Sequence, residues 1–277
     1  MPPRSPALLL TTIPLLLILA GFEVAPMLAV LVSSVFRGGS LSLGNYGEII
    51  ASSYQRAAYV SSLWLSVLTT VIGLVLALPL ARILRRMGGR LQSLVLTYSN
   101  IGANFTGFPL AFAFIIMFGL SGTFTLILQR LGLVEDLNIY STGGLVLVYS
   151  YFQVCLGILV LFPAMRALTP EMDEAAAILG VPRWRFWWRV GLPVLRPSLI
   201  SAAILLFANA MGTYATAFAL AGGNANLVTI HIGELVSGDV YSDPNLANAL
   251  AVILVVTLIL PIAAQHIWSS RRPRDER

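Results

Sequence analysis

Residues 166–193 read RALTPEMDEAAAILGVPRWRFWWRVGLP. The stretch is too polar to cross a bilayer and too regular to be a mere connector. Thr169 is a favoured helix N-cap residue, and Pro170 suits the first helical position. Glu171, Asp173 and Glu174 put negative charge near the helix start, where the dipole favours it. Ala175–Leu179 continue the helix, and Gly180 is a natural left-handed stop. Pro182 opens a second short helix, on which Trp184, Trp187 and Trp188 share a face at i, i+3, i+4 spacing while Arg185 and Arg189 form another. Two short helices about a glycine turn suit two roles. One is an interfacial anchor, since Trp and Arg lie at headgroup level. The other is a docking knob, since the same residues dominate binding hot spots.

On either side of this stretch the chain becomes strongly apolar. Its 277 residues are 57% hydrophobic and 10% charged, with mean hydropathy +0.85. Soluble domains run about 45–50% apolar and about 25% charged. A helix needs about 20 apolar residues to cross about 30 Å of hydrocarbon. Six stretches qualify, at 8–36, 60–81, 94–120, 144–165, 197–221 and 246–268. The runs are long and continuous, so they are read as helices rather than alternating barrel strands. The first opens like a signal peptide, with Arg4 ahead of Ala7–Ala20. Its apolar run continues through Leu28–Val35 without a convincing cleavage site, so it is read as a retained span. These features predict an all-α membrane protein of six transmembrane helices in a single transmembrane domain, 1–277, with 166–196 as its longest inner loop.

All 17 basic residues are Arg, and Lys is absent. A P-loop and Lys Schiff-base chemistry are therefore excluded, and any ATP-driven motor must be another chain. With both termini cytoplasmic, 14 of the 17 Arg fall on the inner side, five of them in 166–196. The outer segments keep Arg37, Arg56 and Arg130 beside Glu48, Glu135, Asp136, Glu234, Asp239 and Asp243. This is the positive-inside pattern, and it accounts for the pI near 9.7 without nucleic acid. The lone Cys155 and the separated His231 and His266 give no metal-ligand spacing. Glu23 is the sole acidic residue inside a span, and an intramembrane carboxylate marks either a function or a position near a headgroup. Polar residues cluster in the third span (Ser99, Asn100, Asn104, Thr106) and the fifth (Asn209, Thr213, Tyr214, Thr216). Such groups face protein or a water-filled path. Helix–helix hydrogen bonding and substrate contact both fit them.

Glu174-Ala175-Ala176, then Gly180, then Val190, Leu192 and Pro193 resemble the EAA motif, E-A-A-x3-G-x9-I-x-L-P. Only its usual Ile is replaced, by Val190. This motif marks the integral-membrane permeases of binding-protein-dependent ABC importers, where it lies between the fourth and fifth of six spans, as here. Looser similarity runs from Ser61-Ser62-Leu63 to Pro79-Leu80-Ala81 and from Tyr151-Phe152-Gln153 to Pro163-Ala164. Cys155 stands where many relatives carry Pro, which implies a straighter fourth span.

The resemblance implies a type I importer fold, in which two permeases, identical or homologous, surround a central path. It implies as partners an extracytoplasmic solute-binding protein and two cytoplasmic ATP-binding subunits. ATP and Mg would be used by those subunits, with no cofactor bound by this chain. Glu174, Ala175, Ala176, Gly180, Leu192 and Pro193 would form the ATPase-coupling site. Trp184, Trp187, Trp188, Arg185 and Arg189 are expected to support the loop, and Asn100, Asn104, Asn209, Thr213 and Tyr214 to line the path. The fifth span resembles permeases of the polyamine, phosphonate and iron group, which suggests a polyamine-like or other small polar solute. The rival class, an ion-coupled secondary transporter or channel, calls for inverted repeats or several intramembrane carboxylates. An intramembrane hydrolase calls for motifs such as G-x-S-x-G, which the chain lacks.

Overall fold

The computed structural model describes residues 6–134, 137–222, 225–237 and 242–270, with side chains placed from 13 to 267. In chain order, α1 (Pro6–Leu19) passes through a π turn (Ala20–Val24) into α2 (Ala25–Ser34). A two-stranded hairpin follows, β1 (Phe36–Arg37) and β2 (Ser40–Leu41), then α3 (Gly44–Ala51) and the long α4 (Ser53–Arg86). Next come α5 (Arg90–Asn104), α6 (Phe108–Phe118), α7 (Thr123–Arg130) and α8 (Thr142–Ala164). The loop carries α9 (Pro170–Ile178) and α10 (Arg183–Phe186), and a second π turn (Trp187–Gly191) leads into α11 (Leu192–Met211). The chain closes with α12 (Ala215–Ala221), α13 (Val228–Ser237) and α14 (Pro244–Ser270). It divides into two compact units, residues 1–58 with 231–260 and residues 59–230 with 261–277.

In the first unit the π turn between α1 and α2 has a local cause. Pro26 has no N–H to donate four residues back, and the Ala25 N–H instead reaches the Ala20 carbonyl, five residues back. Glu23 lies exposed in that turn. The hairpin turns on Gly38 and Gly39, both at positive φ, as a type I′ turn requires. The buried Asn45 side chain donates to the Ser34 and Phe36 carbonyls at 3.0 and 2.9 Å, and Tyr46 donates to Ser34 Oγ at 2.8 Å. Arg37 pairs with Glu48 at 2.6 Å. These contacts fold the hairpin and α3 into one cap on the end of α2.

The second unit is built where α4, α8 and α11 cross. A Cβ on Gly157 would meet Ala77 Cβ at 2.8 Å, and one on Gly73 would meet Gln153 and Leu206 at 3.0 and 3.1 Å. Small residues let the backbones approach, as membrane helix packing requires. Two apolar clusters flank the crossing. One holds Leu110, Tyr149, Phe152 and Leu220, and the other Ala77, Leu84, Leu161, Met165 and Leu195.

Among the described residues, six helical stretches are long and apolar enough to cross a membrane: Ile13–Ser34, Ser53–Arg86, Phe108–Arg130, Thr142–Ala167, Arg183–Met211 and Pro244–Ile267. Four overlie the expected spans, and the fifth, expected at 197–221, is shifted toward the loop at Arg183–Met211. The third differs, because the region 94–120 is two helices, α5 and α6, parted at Phe105–Gly107. The polar residues of α5 move the most apolar window on to α6 and α7. The fifth span is parted too, at Gly212–Tyr214. The fourth, α8, runs unbroken past Cys155, as expected where Pro is missing.

Candidate functional site

The loop after α8 ends its first helix in a full Schellman motif. The Val181 N–H donates to the Ala176 carbonyl at 2.9 Å and the Gly180 N–H to Ala177 at 3.0 Å, with Gly180 at φ 65°. Thr169 occupies the N-cap with extended backbone, but its side chain does not cap the helix. Instead it hydrogen-bonds Glu171 and, with the Glu171 backbone N–H, holds that carboxyl below its ordinary pKa. Glu174, Ala175 and Gly180 are exposed and Ala176 is half-buried. Leu192 and Pro193 lie beyond the second π turn, at the start of α11.

Sequence reasoning missed the tip of this loop. Ile178 and Leu179 are 86% and 77% exposed, and together with Glu174 and Gly180 they form a small apolar knob with an acidic flank. The available signal was two large apolar residues directly before a helix-stopping glycine. The tryptophans do not act alike. Trp184 and Trp188 are 64% and 69% exposed. Trp187 turns inward, its ring lying over Gly191, where a Cβ would sit 2.9 Å from the indole. The Arg82 guanidinium covers the Trp187 ring at 4.2 Å, and Arg185 lies 5.4 Å from the Trp184 ring. Arg189 is exposed. Asp173 on α9 faces Arg86 and Arg85 of α4 at 3.6 and 4.0 Å.

A second polar group lies among the spans. The fully buried Gln153 donates to the Leu206 carbonyl at 2.7 Å, and Asn209 reaches its Oε1 at 3.5 Å. Thr213 donates to the Asn209 carbonyl at 2.6 Å, and the Thr213 carbonyl accepts from Tyr149 at 3.1 Å. The two helix breaks are stitched together, with the Gly107 N–H donating to Thr216 Oγ1 at 2.9 Å. Tyr214 stacks on Phe218. Asn209, Thr213 and Tyr214 thus gather at one break. Asn100 and Asn104 lie apart from them on α5, where the Asn104 side chain donates to the Asn100 carbonyl and Oδ1 at 2.9 and 2.8 Å. Ser93, Thr97, Asn100 and Asn104, spaced as one helix face, are all exposed.

Spanning helices with buried polar joints, and an exposed helical loop between the fourth and fifth, define a transport subunit of the permease class. Residues 69–274 match the family described as the binding-protein-dependent transport system inner membrane component. The chain belongs to that family and is a multi-pass membrane protein, the permease component of a binding-protein-dependent ABC importer. It is 24% identical over 265 residues to the putative ferric transport system permease protein FbpB 1 of Haemophilus influenzae, covering 93% of this chain and 41% of that one. It is 28% identical over 221 residues to the molybdenum transport system permease protein ModB of Mycobacterium tuberculosis, covering 78% of this chain and 81% of that one. The fold matches a chain in the crystal structure of a bacterial alginate ABC transporter in complex with an alginate pentasaccharide-bound periplasmic protein. The TM-score is 0.77 at 15% identity, with 97% and 95% of the two chains covered. These relatives carry names of iron, molybdenum and alginate, which does not support the polyamine expectation.

Proposed function

We propose that this chain is the membrane half of an ATP-driven importer whose motor docks on the loop formed by α9 and α10. The observation that carries the reading is the exposed knob of Glu174, Ala175, Gly180, Ile178 and Leu179, held rigid by the Schellman turn. Small residues let a partner approach closely, Ile178 and Leu179 offer apolar anchors, and Glu174 offers a charge to a basic group. A second permease and an extracytoplasmic solute-binding protein complete the assembly, as the family membership supports. Both termini and the loop lie on the cytoplasmic side, supported by the arginine asymmetry. The solute is small and polar, and the uncharged groups Asn100, Asn104, Asn209, Thr213 and Tyr214 line its path. Closure of the ATPase dimer drives the loops together and switches the path from inward-open to outward-open.

The test uses an Ile178→Cys variant, because the native Cys155 is buried. In membranes holding the complete importer, the new thiol is expected to crosslink to the ATP-binding subunit and to be shielded from membrane-impermeant maleimide added outside. Labelling of Ile178→Cys from outside, or crosslinking only to a periplasmic protein, would reverse the topology and remove the docking assignment.

A further inference from the structure

The loop is covalently tied to α8 at one end and α11 at the other, and α4 is continuous with neither. Yet the end of α4 holds both arms of the loop. Arg86 and Arg85 reach Asp173 on the first arm at 3.6 and 4.0 Å, and Arg82 covers Trp187 on the second arm at 4.2 Å. Three arginines in five residues repel one another, and Asp173 is the acidic group set between two of them. Trp187 can lie flat because Gly191 has no side chain under its ring. Beneath these contacts Leu84, Met165, Leu168 and Leu195 form one apolar cluster with Trp187 packed against it. Gln92 donates to the Leu84 carbonyl at 2.8 Å, which ties the start of α5 to the same corner.

We propose that Arg82, Arg85 and Arg86 form a latch that grips both arms of the loop through Trp187 and Asp173, and so carries loop displacement directly into α4. The inference rests on the docking reading above and adds a route to it. Through the backbone alone, a push on the knob reaches α8 and α11. The latch makes α4 move with them, so three helices respond to one docking event. Asp173 and Trp187 are positioning residues in this scheme, acting through α4 rather than on solute or nucleotide. Two arginines sharing one carboxylate give the grip tolerance, since either can hold while the other swings. The ring contact of Arg82 needs no counter-charge and persists at high salt, where the Asp173 pairs weaken.

Hydrogen exchange on the complete importer in lipid nanodiscs tests this, comparing the nucleotide-free state with the MgATP–vanadate-trapped state. In the wild type the exchange difference should appear both in 170–191 and in 70–86. Asp173→Arg should keep the difference in 170–191 and lose it in 70–86, and Asp173→Arg with Arg86→Asp should restore it. Trp187→Ala should lower the difference in 70–86, whereas Trp187→Phe, which keeps a ring over Gly191, should retain it. A full difference in 70–86 with Asp173→Arg and Trp187→Ala combined overturns the latch. No difference in 170–191 in the wild type overturns the docking reading and the latch with it. Loss of the ATPase from the Asp173→Arg complex, unrestored by the swap, places Asp173 on the docking face and overturns the latch alone.

Discussion

Gly180 allows a separation of backbone from surface effects that few positions permit. It sits at φ 65°, and a Cβ built there meets nothing within 4 Å. An alanine at 180 therefore suffers no clash, and its whole cost is the left-handed conformation, about 1 kcal/mol. That figure corresponds to about a fivefold shift toward conformers in which the Schellman bonds are open. Asparagine tolerates the left-handed region better and should cost less. Arginine carries the same backbone cost as alanine and adds bulk and charge to the knob.

Two assays divide these effects. Amide exchange at Val181, whose N–H is held by the Ala176 carbonyl, reports the turn. It should accelerate about fivefold in both Gly180→Ala and Gly180→Arg, by the same conformational cost, and by less in Gly180→Asn. ATP hydrolysis of the complete importer, stimulated by its binding protein, reports docking. It should fall a few-fold in Gly180→Ala and vanish in Gly180→Arg, with membrane insertion intact in both. Equal exchange in wild type and Gly180→Ala would refute the conformational reasoning. Stimulated hydrolysis surviving in Gly180→Arg would refute the placement of the ATPase on this surface.

Thr216→Val leaves the Gly107 N–H without its side-chain acceptor at the joint between the two helix breaks, and should cost about 1–3 kcal/mol in a denaturation series in detergent, while Thr216→Ser stays near wild type. Gly102→Ala places a methyl 2.6 Å from Cys155 Sγ and should cost about 1–3 kcal/mol by overpacking. Adding Cys155→Ala should recover most of that loss, and additive damage in the double variant would contradict the contact. His231, its ring tilted against that of Tyr54 at 4.2 Å, is kept below its ordinary pKa of 6.5 by burial, with Glu234 pulling the other way. The opened chain therefore takes up a proton that the folded chain resists, so stability should fall as pH drops through the ordinary histidine range. The thermal midpoint of His231→Gln should lack that slope between pH 7.5 and pH 5.5.

The loop was the most legible part of the chain, because its rules are local. Gly180 marks a left-handed stop in sequence and is one in space. Thr169 holds the cap position without capping, its hydroxyl turned to the Glu171 carboxylate. The three tryptophans looked equivalent because the spacing argument assumed an unbroken α-helix. Pro193 removes an N–H, a π turn forms before it, and Trp187 alone faces inward. Pro26 does the same in the first span, so a proline two residues past a π turn is a readable signal here. The breaks in the third and fifth spans were harder to see, because hydropathy averages over a three-residue interruption. What could not be read at all was pairing over distance. Charge patterning reveals four arginines after the second span and three acids in the loop, but not that Asp173 is the acid Arg85 and Arg86 meet.

The stripe on α5 bears on what the working unit is. Ser93, Thr97, Asn100 and Asn104 fall at i, i+4, i+7 and i+11, so they share one face, and every one is exposed. The neighbouring stripe, Leu94, Tyr98, Ile101 and Phe105, is equally exposed and mostly apolar. Hydrocarbon suits the second stripe but not the first, since an amide facing lipid has no water to replace its hydrogen bonds. Asn100 and Asn104 satisfy part of this demand by bonding to each other. The Asn100 amide protons and the Ser93 and Thr97 hydroxyls still call for protein or water. An aqueous path along this face of α5, as proposed above, would supply those partners. The polar joint at Asn209, Thr213 and Tyr214 is different in kind, because Gln153 and Tyr149 of the same chain already engage its amide and carbonyl groups. Of the five residues expected along the path, Asn100 and Asn104 are thus the exposed pair, while Asn209, Thr213 and Tyr214 are half-buried.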